Sequence, residues 1–167
     1  ISDILFSTPR PNQAKTNLGM LAEDQVNIVI HGHEPTLSEI IATLADNEEM
    51  VKYAESKGAK GINVVGICCT ANEVLMRQGV APIGNFLSQE LAIMTRAIEA
   101  MVVDVQGIMQ SLGGITKKYH TKLITSSPKC KIPGAVHMQF EEDNGLKLAK
   151  EIIKTAVDNY PNRAKEV

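Results

Sequence analysis

Two short stretches of this sequence carry side chains that bind metals or attack substrates: HGHEP at residues 31 to 35 and ICCT at residues 67 to 70. Imidazole is a borderline ligand and thiolate a soft one, so a pair such as His33 and Cys69 favours zinc, copper or iron over calcium or magnesium. A third stretch, VDVQG at 103 to 107, follows another apolar run and ends in Gly107. A closed structural zinc site takes four ligands, usually as two short-spaced doublets. The sequence holds no second doublet.

Each of these residues also has a plainer reading. Buried cysteines pack as small hydrophobes, so core filling stands beside ligation for Cys68 and Cys69. Adjacent cysteines do not form a CxxC redox motif, and a disulfide between them is strained. His33 reads equally as a helix cap or a partner of a backbone carbonyl. Cys130, on the polar loop SSPKCKIPG, reads as incidental, and His120 and His137 as structural.

The elements that must position these residues are legible as a periodic alternation. Apolar, β-branched runs at 26–31, 62–67, 80–86, 101–105, 121–126 and 136–140 suit strands buried on both faces of a parallel sheet. Between them, Thr36 with Glu39 and Thr70 with Glu73 form capping-box patterns that predict helix starts. Ser88 with Leu91, Met94 and Ile98 predicts a third helix, and a last one near 144–158 aligns Leu146, Ala149, Ile153 and Ala156. In SLGGITKK, Gly113 and Gly114 stand inside a predicted helix at a cost of roughly 2 kcal/mol relative to alanine.

Strand and helix in alternation predict a Rossmann-like, doubly wound α/β fold with a mostly parallel sheet and helices on both faces. The GxGxxG dinucleotide fingerprint is absent, since HGHEPT stands where it would be, so cofactor binding of that type is not expected. Functional groups in such folds collect beyond the carboxyl ends of the strands. His33 and Cys69, 36 positions apart, and Gly107, 38 further on, all fall there. Cys69 stands just ahead of a predicted helix start, where the dipole favours thiolate.

Bulk composition narrows the function classes. A chain of 167 residues, 44% hydrophobic, fits one globular domain over residues 24–167, preceded by a Pro-containing arm or linker at 1–23. A net charge of -2 without a basic block or interleaved aromatics argues against nucleic acid. No apolar run reaches the roughly 18 to 20 residues of a membrane span, and the N-terminal stretch lacks a signal-peptide layout. The expected setting is the cytoplasm, with three reduced cysteines.

The segments VNIVIHGHEPTLSEI, GINVVGICCTANEVLMRQG, MVVDVQ and HTKLITSSPKCKIPGAVH, in this order, resemble the nickel-iron carbon monoxide dehydrogenases, anaerobic enzymes also found with acetyl-CoA synthase. The resemblance covers nearly the whole chain, and hybrid-cluster proteins share the overall fold. It implies that this chain is the first of two Rossmann-like domains that enclose a nickel-iron-sulfur cluster in a longer, homodimeric polypeptide with ferredoxin-type electron transfer. It further implies that His33 and Cys69 are ligands of the cluster's unique iron, in an enzyme oxidising carbon monoxide with water to carbon dioxide and two electrons. One departure stands out: the family pattern VDVQC is VDVQG here, so Gly107 occupies a ligand-cysteine position. No catalytic residue is expected within the chain, and the isolated chain is expected to be inactive. The competing expectations are a metal-free α/β scaffold that has lost its cluster, and a weak zinc or iron site on His33 and Cys69, with Cys68.

Overall fold

The computed structural model of the chain describes residues 1–164. Its framework is one sheet of six parallel strands: β1 Val26–His31, β2 Ile62–Ile67, β3 Ala81–Gly84, β4 Ala100–Val103, β5 Lys122–Thr125 and β6 Val136–His137. Their order across the sheet is β3-β2-β1-β4-β5-β6. The chain winds outward from β1 through β2 to β3, then returns to place β4 on the other side of β1. The topological switch point therefore lies between β1 and β4, where crossovers diverge and leave a crevice at the carboxyl ends of the strands.

Residues alternate between the two faces, as a strand requires. Ile28 and Ile30 point into one cluster, which is covered by α2 Pro35–Ala45, α3 Glu48–Ser56, α4 Cys68–Gln78 and α7 Gly145–Asn159. Val29, Val65, Ile67, Met101 and Val103 point into the other. That second face is covered more thinly, by α5 Gln89–Met94, α6 Leu112–Ile115 and the segment holding Leu18, Met20 and Leu21. Residues 1–23 are thus only in part extended: α1 Ser2–Phe6 opens them, and a 3-10 turn at Leu18–Met20 packs against the core.

Helix starts differ from their sequence expectations for local reasons. α2 begins at Pro35, whose fixed φ suits the first helical position, and Glu34 rather than Thr36 caps it, accepting from the N–H groups of Thr36 and Leu37. α4 begins at Cys68, two residues ahead of Thr70, which does not cap it: the Thr70 hydroxyl has no partner, and its N–H donates to the Gly32 carbonyl at 3.0 Å. α5 stops at Met94 and Arg96 turns left-handed, φ 62°. Ala92 and Ile93 form its buried face, leaving Leu91 and Met94 more than half exposed. In α7, Leu148 and Ile152 join the buried face and Leu146 lies outside it. α3, capped by Asn47, has no counterpart among the sequence expectations.

At the amino end of the strands a polar cluster ties the fold together. Glu99, fully buried, accepts from Arg163 Nε (2.7 Å) and Nη2 (2.5 Å), from the Asn27 N–H (2.7 Å) and pairs with His120 Nε2 (3.1 Å). Arg163 also donates to the carbonyls of Ala22, Glu23 and Gln25, which fastens α7's end to the chain entering β1. His120 is structural in this cluster, and His137 pairs with Thr125 Oγ1 at 2.9 Å.

The two glycines of α6 have opposite roles. A Cβ at Gly113 would sit 2.5 Å from the Pro133 carbonyl and 2.8 Å from Ile132 Cγ2, whereas one at Gly114 would meet nothing within 4 Å. Gly113→Ala is expected to destabilise by about 1–3 kcal/mol through overpacking. Gly114→Ala is expected to stabilise by about 0.5–1 kcal/mol through a smaller unfolded-state entropy. Urea titrations of both variants check the pair of signs.

Candidate metal centre

The switch point is held shut by one side chain. Asp104, immediately after β4, accepts from the N–H of His33 (2.8 Å) and of Glu34 (3.0 Å) and from its neighbour Val105, so the loops after β1 and β4 share a carboxylate. Burial pushes its pKa up, opposed by these three backbone donors. Gly32 makes the approach possible. With φ 141°, it adopts a backbone shape open to glycine, and a Cβ there would overlap the Asp104 carboxylate.

This bridge places His33. Its Nδ1 lies 3.0 Å from the Val105 carbonyl, which can only accept, so Nδ1 carries a proton and the neutral ring has its lone pair on Nε2. A carbonyl partner on one ring nitrogen and a free lone pair on the other is the arrangement metal-binding histidines use.

The register His31↔Ile67 between β1 and β2 makes His33 and Cys69 equivalent in position, each two residues beyond a paired strand end. Both therefore lie on the same edge of the sheet. Cys68 and Cys69 then diverge. Cys68 has φ 67°, is half-buried and packs against the second core cluster, and burial raises its thiol pKa. Cys69, in the first turn of α4, is exposed. Core filling describes Cys68, while Cys69 is the thiol open to a group arriving from outside the domain.

Gly107 completes the neighbourhood. A Cβ there would lie 3.7 Å from Phe86, 3.8 Å from His33 Cε1 and 3.9 Å from Cys68 Sγ, in ordinary contact with each. Left-handed backbone recurs in these loops, at Cys68, Gln106 and Gly107 with φ of 67°, 60° and 67°. Such conformations are held only where surroundings over-determine them, and they cluster at functional sites. Cys130, expected to be incidental, lines a cavity of about 460 Å³ together with Gln106, Gly107, Lys129 and Lys131. Among the described residues no group of three or more His, Cys, Asp or Glu side chains could by itself hold a metal ion. His33 and Cys69 alone would leave two positions of a four-coordinate metal unfilled.

Sequence reasoning missed Asp104. An acid ending the apolar run MVVD was a usable signal for it.

Comparison with known proteins matches residues 1–167 to the Prismane/CO dehydrogenase family. Carbon monoxide dehydrogenase 1 of Methanosarcina mazei is 56% identical over 163 residues, covering 98% of this chain and 26% of that protein. Among solved structures, a nickel-free, as-isolated carbon monoxide dehydrogenase from Thermococcus sp. AM4, produced without CooC maturase, superposes with a TM-score of 0.96 at 57% identity. That match covers 99% of this chain and 26% of the other. A structure of acetyl-CoA synthase/carbon monoxide dehydrogenase with NiZn[Fe4S4] and NiNi[Fe4S4] clusters in its alpha subunits matches with a TM-score of 0.93 at 52% identity. It covers 97% of this chain and 24% of the other. The chain thus spans about a quarter of the length of the relatives it matches.

Gly32→Ala tests the shared carboxylate. The overlap with Asp104 and the positive φ are together expected to cost about 3 kcal/mol, read as a lowered urea midpoint. Asp104→Ala should abolish the difference that the glycine makes in part, because the obstructing carboxylate is gone.

Proposed function

The chain belongs to the Prismane/CO dehydrogenase family, and from that premise we propose that it is a cluster-binding α/β domain of an anaerobic nickel-iron carbon monoxide dehydrogenase. In this reading, residues 24–167 form the domain and 1–23 the arm that leads into it. His33 Nε2 and the Cys69 thiolate are the ligands that this chain offers to the unique iron. The observation that carries the proposal is His33 at the switch point, its Nδ1 committed to the Val105 carbonyl and its Nε2 left to bind, on the sheet edge that also bears the exposed Cys69.

When bound, the nickel-iron-sulfur cluster supplies Lewis-acid activation of water and uptake of carbon monoxide, which leave as carbon dioxide, two protons and two electrons. The chain's own residues bind and orient. Asp104 fixes the backbone of the HGHE turn through the N–H groups of His33 and Glu34, and the Val105 carbonyl fixes the plane of the His33 ring. Phe86, partly exposed beside Gly107, gives the site an apolar wall. Gly107 contributes no donor. Further ligands and the groups that move protons would come from the rest of a longer polypeptide, so the isolated chain should not oxidise carbon monoxide. A homodimer exchanging electrons with a ferredoxin, or working with acetyl-CoA synthase, in the cytoplasm is the setting this reading implies. No helix among the described residues is long and apolar enough to cross a membrane.

The test uses the full polypeptide that carries this domain, prepared anaerobically and assayed for iron, nickel, sulfide and carbon monoxide oxidation. His33→Ala and Cys69→Ala should each lower activity at least roughly 100-fold, the upper range of losses from outer-shell changes alone, with reduced iron content. Full metal content and unchanged activity in both variants would count against the proposal and for a domain that acts as scaffold only. Gly107→Cys is expected to raise bound iron. The left-handed φ should cost it about 1–2 kcal/mol of stability, and the open contacts of 3.7–3.9 Å around the new Cβ should accommodate the side chain.

A further inference from the structure

Resting on the reading of His33 as an iron ligand, we infer that Gln89 is a positioning residue of the site, the clamp that holds the loop after β4 against the end of β1. Gln89 is fully buried at the start of α5, and its amide uses every hydrogen-bonding valence it has. Nε2 donates to the carbonyls of Phe86 (2.7 Å) and Gly107 (3.1 Å). Oε1 accepts from the Met109 N–H (3.1 Å) and faces His31 Nε2 at 3.1 Å. A primary amide has two donors and two lone pairs, so none is left over.

The orientation of that amide is not free. Phe86 and Gly107 present carbonyls that only accept, and Met109 presents an N–H that only donates. Oε1 must therefore face His31, and His31 must carry its proton on Nε2. The consequence is visible on the other ring nitrogen: His31 Nδ1 is buried with no partner. An unpartnered buried acceptor is unfavourable, and the clamp imposes it.

What the clamp holds is a loop that resists its own shape. Gln106, a residue with a Cβ, and Gly107 are both left-handed, a conformation that disfavours side-chain-bearing residues. Gln89 grips this loop on both sides of Ile108, through the Gly107 carbonyl and the Met109 N–H. Two residues upstream, the same loop offers the Val105 carbonyl that fixes His33 Nδ1. Gln89 thus acts on the ligand through the loop, without touching the metal.

The experiment compares Gln89→Met with the parent in the full, cluster-loaded polypeptide. Methionine keeps length and apolar volume and removes all four hydrogen bonds, so a packing role alone would survive it. Amide hydrogen exchange of the 106–109 segment should rise about tenfold, as expected for a lost hydrogen bond of roughly average strength, while β1 and β2 keep their protection. Iron content should fall and the cluster's electron paramagnetic resonance signal should change toward that of His33→Ala. Gln89→Glu, which keeps the two acceptor roles and loses the donors, serves if the methionine variant does not fold, and should loosen the same segment. Unchanged exchange at 106–109, or faster exchange with iron and spectrum unaltered while His33→Ala loses iron, overturns the positioning role. If His33→Ala keeps its iron, the ligand reading is what fails, and exchange at 106–109 alone decides for or against the clamp.

Discussion

The site rests on the carboxylate of Asp104. Across the switch point of a parallel sheet two crossovers leave in opposite directions, and nothing in the ladder itself joins the loops beyond the strand ends. Asp104 joins them, taking N–H groups from His33 and Glu34 on one side and Val105 on the other. Burial works against its charge and the donors work for it. Several sequence features then have one cause. Gly32 has no Cβ because the carboxylate fills that space. Glu34 is held where its own carboxylate caps α2. His33 is delivered beside the Val105 carbonyl, which selects its tautomer.

The two ends of the sheet are built to different purposes. At the amino end Glu99, Arg163, His120, Asn27 and Asn159 form a network with short, mutually satisfied bonds, closed around a bidentate guanidinium. Removing one partner there would leave a buried charge, which is why such clusters break at high cost. At the carboxyl end the structure tolerates left-handed residues, an unpartnered His31 nitrogen and an unpartnered Thr70 hydroxyl. Left-handed Cys68 and Gln106 beside two unmet polar groups mark where packing has yielded to a site.

Much of the architecture was legible because parallel strands buried on both faces announce themselves as continuous β-branched runs. β1 and β2 occupy the stretches 26–31 and 62–67 that the apolar pattern marks out. Helix boundaries were less legible, since they depend on bonds made from outside the helix. Thr70 has the pattern of a cap, yet its hydroxyl accepts from no N–H of the following turn, and its own N–H donates to Gly32, a residue distant in sequence. The apolar spacing of Leu91, Met94 and Ile98 suggested a face that α5 does not bury, because the helix ends before the repeat completes. Gly113 looked like a defect in a helix and is a close approach to the Pro133 carbonyl and the Ile132 side chain. His33 and the cysteine pair were found from residue type and strand-end position. Gln89 was not, because hydrogen bonds to backbone carry no spacing signal, and Asp104 was passed over although an acid closes the apolar run MVVD.

Of the two cysteines, the structure separates one that packs from one that is exposed, and we propose the exposed one, with His33, as a ligand of a single iron. Anomalous diffraction at the iron edge from crystals of the cluster-loaded full polypeptide tests that assignment directly. One iron peak bonded to both His33 Nε2 and Cys69 Sγ, beyond the carboxyl ends of β1 and β2, is the expected result. An iron-sulfur cluster with no iron bonded to either side chain, or no iron there in crystals that hold the metal elsewhere, would contradict it.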